Sequence, residues 1–297
     1  MRPVFVCLVA AALCGCATSG TERAALPAAP QTPVAIAGPA PAVSQRAFSA
    51  IVVDARNGRI VHQDRADELR YPASLTKMMT LYMVFEQLAA GRLKVNSPLS
   101  VSANAASRPP SKIGVKAGTV ITVDTAARAL AVRSANDVAV VVAENLAGSE
   151  AAFAAAMTQR ARALGMTRTR FVNASGLPDP NQVTTARDIA ILGKALSDKY
   201  PKWFAYFSTR EFSYNGRKWR NTNRLLRSVD GMNGIKTGYI RASGYNLAAS
   251  VRRGGRHMIA VVIGGKSGRA RNAAMKALID THMGKLSGGG LGGIRLF

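Results

Sequence analysis

Apolar and polar positions alternate through "AFSAIVVDARNGRIVHQD", residues 47–64, on either side of Asn57-Gly58. A period of two broken by a turn-forming Asn-Gly pair predicts a β-hairpin at the opening of the folded domain. The period then changes. "SLTKMMTLYMVFEQLA", from Ser74 onward, reads as an apolar helix, and residues Val101 to Val123 are turn-rich, with Pro109-Pro110 and two glycines. Helical segments are expected after that at about 124–132, 137–147, 149–164 and 185–198. Toward the end, "GIKTGYI", "YNLAASVRRGG" and "HMIAVVIGG" return to short strand-like runs separated by Gly-rich turns, and a last helix is predicted near 268–283. Strands from the two ends of the chain can share one antiparallel sheet. The predicted architecture is therefore α+β, with a helical lobe inserted between the two parts of the sheet.

Composition adds a compartment. With 48% hydrophobic and 19% charged residues, the 297-residue chain has the make-up of a globular core. Its three cysteines, Cys7, Cys14 and Cys16, all fall at the start, so the body of the protein has no thiol, disulfide or cysteine metal site. "MRPVFVCLVAAALCGCATSG" has a basic Arg2, an apolar run and small residues, the pattern of an export signal over residues 1–15. Leu13-Cys14-Gly15-Cys16 resembles a bacterial lipobox, with Cys16 the residue freed for acylation; the alternative is an ordinary signal cleaved after Ala17. By the same analogy Ala17 suits sorting to the outer membrane, so the expected location is exported, periplasmic and lipid-anchored to that membrane. Residues 16–45 are Ala/Pro-rich without amphipathic period and read as a disordered tether, reaching at most about 90 Å at roughly 3.1 Å per residue. The Gly-rich end, residues 284–297, reads as a flexible tail.

Forty Lys and Arg against 16 Asp and Glu give a formal charge of +24, which points to an anionic environment. Nucleic acid is not expected as a partner, because the chain reads as exported and its basic residues are scattered rather than interleaved with aromatics as a stacking platform requires. Peptidoglycan carboxylates or anionic lipid headgroups fit better.

Three short motifs carry candidate chemistry. Ser74 and Lys77, three apart at a helix start, project side by side. One reading is a helix cap followed by a solvated lysine; the other is a nucleophile activated by an amine kept neutral in apolar surroundings, which Met78, Met79, Leu81 and Phe85 favour. Ser134-Ala135-Asn136 falls on a loop between helices, where it either caps the next helix or points polar groups into a cleft. Lys236-Thr237-Gly238 falls on a strand. It reads either as an edge strand guarded by a lysine or as a cation and hydroxyl for an anion, with Gly238 admitting a second backbone.

The ordered set Ser-x-x-Lys, Ser-x-Asn, Lys-Thr-Gly resembles the penicillin-binding proteins and serine β-lactamases. Together with "PASLTKMMT", "SKIGVKAGTVITV", "RSANDVAVVVAENLAGSEAAF", "LGMTRTRFVNASGLPD", "TTARDIA" and the final strand region, it makes residues 46–283 similar to the catalytic domain of the D-alanyl-D-alanine carboxypeptidase family, low-molecular-mass penicillin-binding proteins. The resemblance implies a β-lactamase/transpeptidase-like fold and a serine peptidase acting on the D-Ala-D-Ala end of peptidoglycan stem peptides, without cofactor or metal, and acylated by β-lactams. It implies Ser74 as nucleophile, Lys77 as its base and Ser134 as proton relay. It further implies Asn136, Lys236, Thr237, Gly238 and Arg271 as substrate contacts, with Arg269 the neighbouring candidate for the terminal carboxylate, and the backbone N–H groups of Ser74 and Tyr239 as oxyanion hole. His62, His257 and His282 have no expected role. Two departures stand out. The C-terminal β domain of many members is not expected, and the histidine often found before the family's "STA" is absent from "PNQVTTARD". Rival readings are a DD-endopeptidase, a serine β-lactamase and a non-catalytic wall-binding lipoprotein. The β-lactamase is disfavoured because no glutamate lies between Ala151 and Arg210 to activate a deacylating water.

Overall fold

The computed structural model describes residues 42–288. The expected export signal, Cys16, nearly all of the Ala/Pro-rich stretch and residues 289–297 lie outside the described residues. In chain order, β1 (Ser49–Asp54) and β2 (Ile60–Asp64) form the opening hairpin, and a short 3-10 turn (Ala73–Thr76) leads into α1 (Lys77–Ala89). β3 (Pro98–Ser100) precedes the turn-rich stretch, which holds α2 (Ala103–Ala106) and β4 (Val120–Thr122). The lobe continues with α3 (Val123–Arg128), α4 (Asn136–Ala147), α5 (Glu150–Ala163), α6 (Ala186–Lys199) and α7 (Pro201–Phe204). A small hairpin, β5 (Glu211–Tyr214) and β6 (Arg217–Arg220), precedes β7 (Met232–Ile240), β8 (Gly244–Arg253), β9 (Arg256–Gly265) and α8 (Gly268–His282).

The starts of α5, α6 and α8 agree with the sequence reading to within a residue because their caps are local. Ser149, Thr185 and Ser267 each accept the N–H three residues on, from Ala152, Asp188 and Ala270. The main sheet has strand order β2-β1-β9-β8-β7, every neighbouring pair antiparallel, so the two ends of the chain meet at β1 and β9. Alternation along β9 divides the core. Ile259, Val261 and Ile263 pack with the lobe, beside Met78, Ile189 and Leu192, whereas Met258, Ala260 and Val262 pack with Met275 and Ile279 of α8. Helices thus cover both faces, which is why the central strands read as nearly unbroken apolar runs. The result is α+β with a helical lobe inserted, as expected, and β7 is left as an edge facing the lobe.

One expectation fails here. The flexible tail does not begin at residue 284, because Leu286 is buried at 4% exposure in the α8-side core and Ser287 N–H donates to Asp54 Oδ2 at 2.7 Å. Arg59 also donates to the Lys285 carbonyl at 2.8 Å. These anchors sit more than 200 residues away in sequence, so the local Gly-rich composition gives no sign of them.

Candidate active site

Pro72 and a left-handed Ala73 (φ 49°) delay the helix, so Ser74 stands on the 3-10 turn and Lys77 is the first residue of α1. The spacing still joins them. Lys77 Nζ lies 3.2 Å from Ser74 Oγ, and it also donates to Asn136 Oδ1 at 2.7 Å and to the Ser175 carbonyl. Lys77 is fully buried, which removes the solvated-lysine reading. Burial, and after it the nearby Lys236 ammonium, hold its pKa well below the ordinary lysine range. A neutral amine has two N–H bonds and one lone pair. Asn136 and Ser175 are acceptors for the two N–H bonds, which leaves the lone pair for the Ser74 hydroxyl.

The facing wall starts from a π-turn (Ala129–Arg133) that ends in a left-handed Ser134 (φ 62°). Left-handed conformations at non-glycine residues cost about 1 kcal/mol or more and are retained where surrounding structure imposes them. Ser134 does not cap α4, whose N-cap is Ala135 without a side-chain bond. Its Oγ is buried and has no hydrogen-bond partner among the described residues. Asn136, expected to contact substrate, is engaged at both ends of its amide, by Lys77 and by the Pro109 carbonyl at 3.0 Å. In this structure it positions the lysine. The adjacent Asp137 carboxylate receives the N–H groups of Ile113, Gly114 and Val115 at 3.3, 2.8 and 3.2 Å and so pins the loop in front of α4.

On β7, Lys236 is 1% exposed, so it does not guard the edge. Its Nζ donates to the Thr237 carbonyl at 2.9 Å, and burial together with the Arg271 guanidinium lowers its pKa to about 7. Thr237 Oγ1 bonds Thr222 Oγ1 at 2.8 Å. Gly238 is the point of close approach: a Cβ there would lie 3.1 Å from Ser74 N and 3.2 Å from Pro72 O. That closeness brings the β7 backbone at Gly238 against Ser74, while Tyr239 is 52% exposed and its ring lies tilted against Tyr245 with centroids 4.4 Å apart. Arg271 of α8 is buried, with its pKa lowered to about 10 by burial, and donates to the Asn246 carbonyl at 2.7 Å. Asn246 Nδ2 in turn reaches the Tyr71 and Pro72 carbonyls, each at 3.4 Å. Arg271 is thus tied to the turn that carries Ser74, whereas Arg269 is exposed.

Several contributors escaped the sequence reading. Ser175 belongs to a turn in which Asn173 Oδ1 accepts the N–H groups of Ser175 and Gly176 at 3.2 and 2.7 Å, an Asx signature visible in "NASG". Gly176 (φ 82°) backs onto the nucleophile's turn so closely that a Cβ would fall 1.9 Å from Ala73 O. Gln182 does the bonding in the segment that lacks the family's frequent histidine: its Oε1 accepts from Val172 and Asn173 N–H at 3.0 and 3.1 Å. The histidines lie elsewhere, His62 stacked on His282 at 4.9 Å and His257 bonded to Ser250 Oγ at 2.9 Å.

The family model described as D-alanyl-D-alanine carboxypeptidase matches residues 35–267. The chain is 38% identical over 239 residues to the D-alanyl-D-alanine carboxypeptidase DacC of Escherichia coli (strain K12), a match covering 78% of this chain and 59% of that protein. It thus spans about three-fifths of the length of that relative. It is also 32% identical over 237 residues to the D-alanyl-D-alanine endopeptidase of the same strain, covering 75% of this chain and 73% of that one. Among solved structures, penicillin binding protein 5 from Haemophilus influenzae is similar with a TM-score of 0.77 at 31% identity, over 82% of this chain and 72% of that one.

Proposed function

The chain belongs to the D-alanyl-D-alanine carboxypeptidase family and has the β-lactamase/transpeptidase-like fold of penicillin-binding proteins; from that premise we propose that it removes the terminal D-alanine of peptidoglycan stem peptides through an acyl-enzyme on Ser74. Lys77 takes the Ser74 proton as Oγ attacks the carbonyl of the penultimate D-alanine. The oxyanion meets the N–H groups of Ser74 and Tyr239, and the departing amine takes its proton by way of the Ser134 hydroxyl. Water then hydrolyses the ester. Lys236, Thr237 and Arg271 hold the terminal carboxylate, and β-lactams acylate the same serine. The observation that carries this reading is the buried, pKa-lowered Lys77 held against Ser74 by Asn136 and Ser175.

A DD-endopeptidase is the second reading, supported by the 32% identity over 237 residues to a D-alanyl-D-alanine endopeptidase. Incubation with free pentapeptides and with cross-linked muropeptide dimers separates the two. Faster release of D-alanine from pentapeptide is the expected result, and preferential cleavage of dimers would replace the first reading by the second.

The proposed setting is the periplasm, with a lipid on Cys16 holding the protein at the outer membrane; the support is the pattern of the first 17 residues. Labelled fatty acid should enter the wild type but not Cys16→Ala. An unlabelled mature chain starting after Ala17 would refute the anchor.

A further inference from the structure

The hairpin β5–β6 carries charge that the reaction does not use. Residues 210–227 hold six cations, Arg210, Arg217, Lys218, Arg220, Arg224 and Arg227, against a single carboxylate, Glu211. Lys218, Arg220 and Arg227 all share Glu211, the two arginines at 3.5 and 3.6 Å. Three cations on one anion leave a surplus of two positive charges, and Lys218 and Arg220 remain 65% and 76% exposed. Register sorts the two faces. Phe212 pairs with and stacks on Trp219 at 6.0 Å against the core, so Glu211, Lys218 and Arg220, one position out of phase, stand on the outer face.

The chain leaving β6 is fastened to both walls of the cleft. Thr222 N–H donates to the Val132 carbonyl at 3.3 Å, on the turn that ends at Ser134, and Thr222 Oγ1 bonds Thr237 Oγ1 at 2.8 Å. Asn223 Nδ2 adds a bond to the Gly234 carbonyl of β7 at 3.2 Å. The basic hairpin is therefore held at a fixed position relative to Ser134 and Lys236.

Building on the carboxypeptidase reading, we propose that the outer face of β5–β6 is an exosite for polymeric peptidoglycan, in which Lys218 and Arg220 bind free carboxylates of stem peptides neighbouring the one being cut. A guanidinium fork matches a carboxylate in two parallel hydrogen bonds, and an ammonium adds a point charge. Arg220 is two residues from Thr222, whose hydroxyl bonds Thr237 in the cleft wall, so a polymer with one stem peptide in the cleft has neighbouring stems within reach of the hairpin. The exosite selects the wall polymer over isolated peptides, and its contribution falls as salt rises.

The test compares the full-length wild type with Lys218→Gln/Arg220→Gln and Lys218→Glu/Arg220→Glu, the neutral pair guarding against a hairpin disrupted by three clustered acids. Acylation by labelled penicillin checks that each variant is folded. Hydrolysis of diacetyl-Lys-D-Ala-D-Ala should stay within about twofold of wild type, while pelleting with purified sacculi and D-alanine release from them should fall by about tenfold for the charge reversal at low salt, as expected for two exposed ion pairs turned repulsive. The gap between wild type and variants should close at high salt. Pelleting needs no turnover, so it reads the exosite even if the carboxypeptidase reading itself fails on the tripeptide. Unchanged pelleting and unchanged release from sacculi would overturn the proposal. So would a loss of binding confined to phosphatidylglycerol vesicles, which would make the face a lipid contact.

Discussion

Lys236→Met should stabilise the protein at acidic pH, by an amount that shrinks as pH rises. Lys236 is 1% exposed, and its pKa falls from 10.5 to about 7 through burial and the Arg271 guanidinium. Below about pH 7 the lysine is charged in both states, and the folded state bears the whole burial penalty. Between there and about 10.5 the unfolded chain binds more protons than the folded one, so wild-type stability climbs with pH. The gap between 10.5 and about 7 corresponds to about 5 kcal/mol at roughly 1.4 kcal/mol per pH unit. Methionine fills a similar volume without charge and forfeits the bond to the Thr237 carbonyl, about 1 kcal/mol. The net gain is then about 4 kcal/mol near pH 6 and vanishes at about pH 9.8. Urea titrations of both proteins across this range, with equal m-values, measure it directly. A variant no more stable than wild type at the acidic end, or a gain that is flat with pH, would refute the reasoning. The same variant should lose peptide hydrolysis, so the stability withheld at Lys236 is retained for function.

Lys77→Arg should abolish acylation, because guanidinium stays protonated, and wild-type acylation should rise with pH along a limb lying well below the ordinary lysine pKa; near-normal acylation of the variant would end the base assignment. Gly176→Ala, with φ 82° and a Cβ 1.9 Å from Ala73 O, should displace the turn of Ser74, costing about 2 kcal/mol or more in urea unfolding and most of the acylation rate. Arg271→Ala should slow diacetyl-Lys-D-Ala-D-Ala hydrolysis by about tenfold or more, in line with loss of a buried charge partner, but spare a C-terminally amidated analogue. Equal slowing of both substrates would mean that Arg271 acts through Asn246 on the Ser74 turn.

What the sequence made legible is what depends on neighbours in sequence. Helix starts at Ser149, Thr185 and Ser267 follow from caps, and the Ser74–Lys77 contact follows from helical spacing even though Ala73 turns the first part into a 3-10 turn. The alternation read in the opening hairpin does not sort β1 into a buried and an exposed face, because both sheet faces are covered and all six of its residues are buried. Contacts across long sequence distances were out of reach: Asn136 on Lys77 spans 59 residues and the Ser175 carbonyl 98. The family resemblance implied Asn136 as a substrate contact, and its amide is engaged within the protein by Lys77 and the Pro109 carbonyl. The hairpin β5–β6 was missed since "EFSYNGRKWR" mixes charges with aromatic residues, although its Asn215-Gly216 turn was the available signal. Residues 284–288 are anchored rather than flexible because Ser287 bonds Asp54, a carboxylate 233 positions away of which local Gly-rich composition carries no sign.

Mass spectrometry of the purified protein after exposure to benzylpenicillin tests the central claim, that Lys77 activates Ser74 as a nucleophile. The account predicts one adduct of the full antibiotic mass, confined to the peptide containing Ser74, persisting for minutes or longer and missing from Ser74→Ala. No adduct on folded wild-type protein, or an adduct that survives in Ser74→Ala, would contradict it.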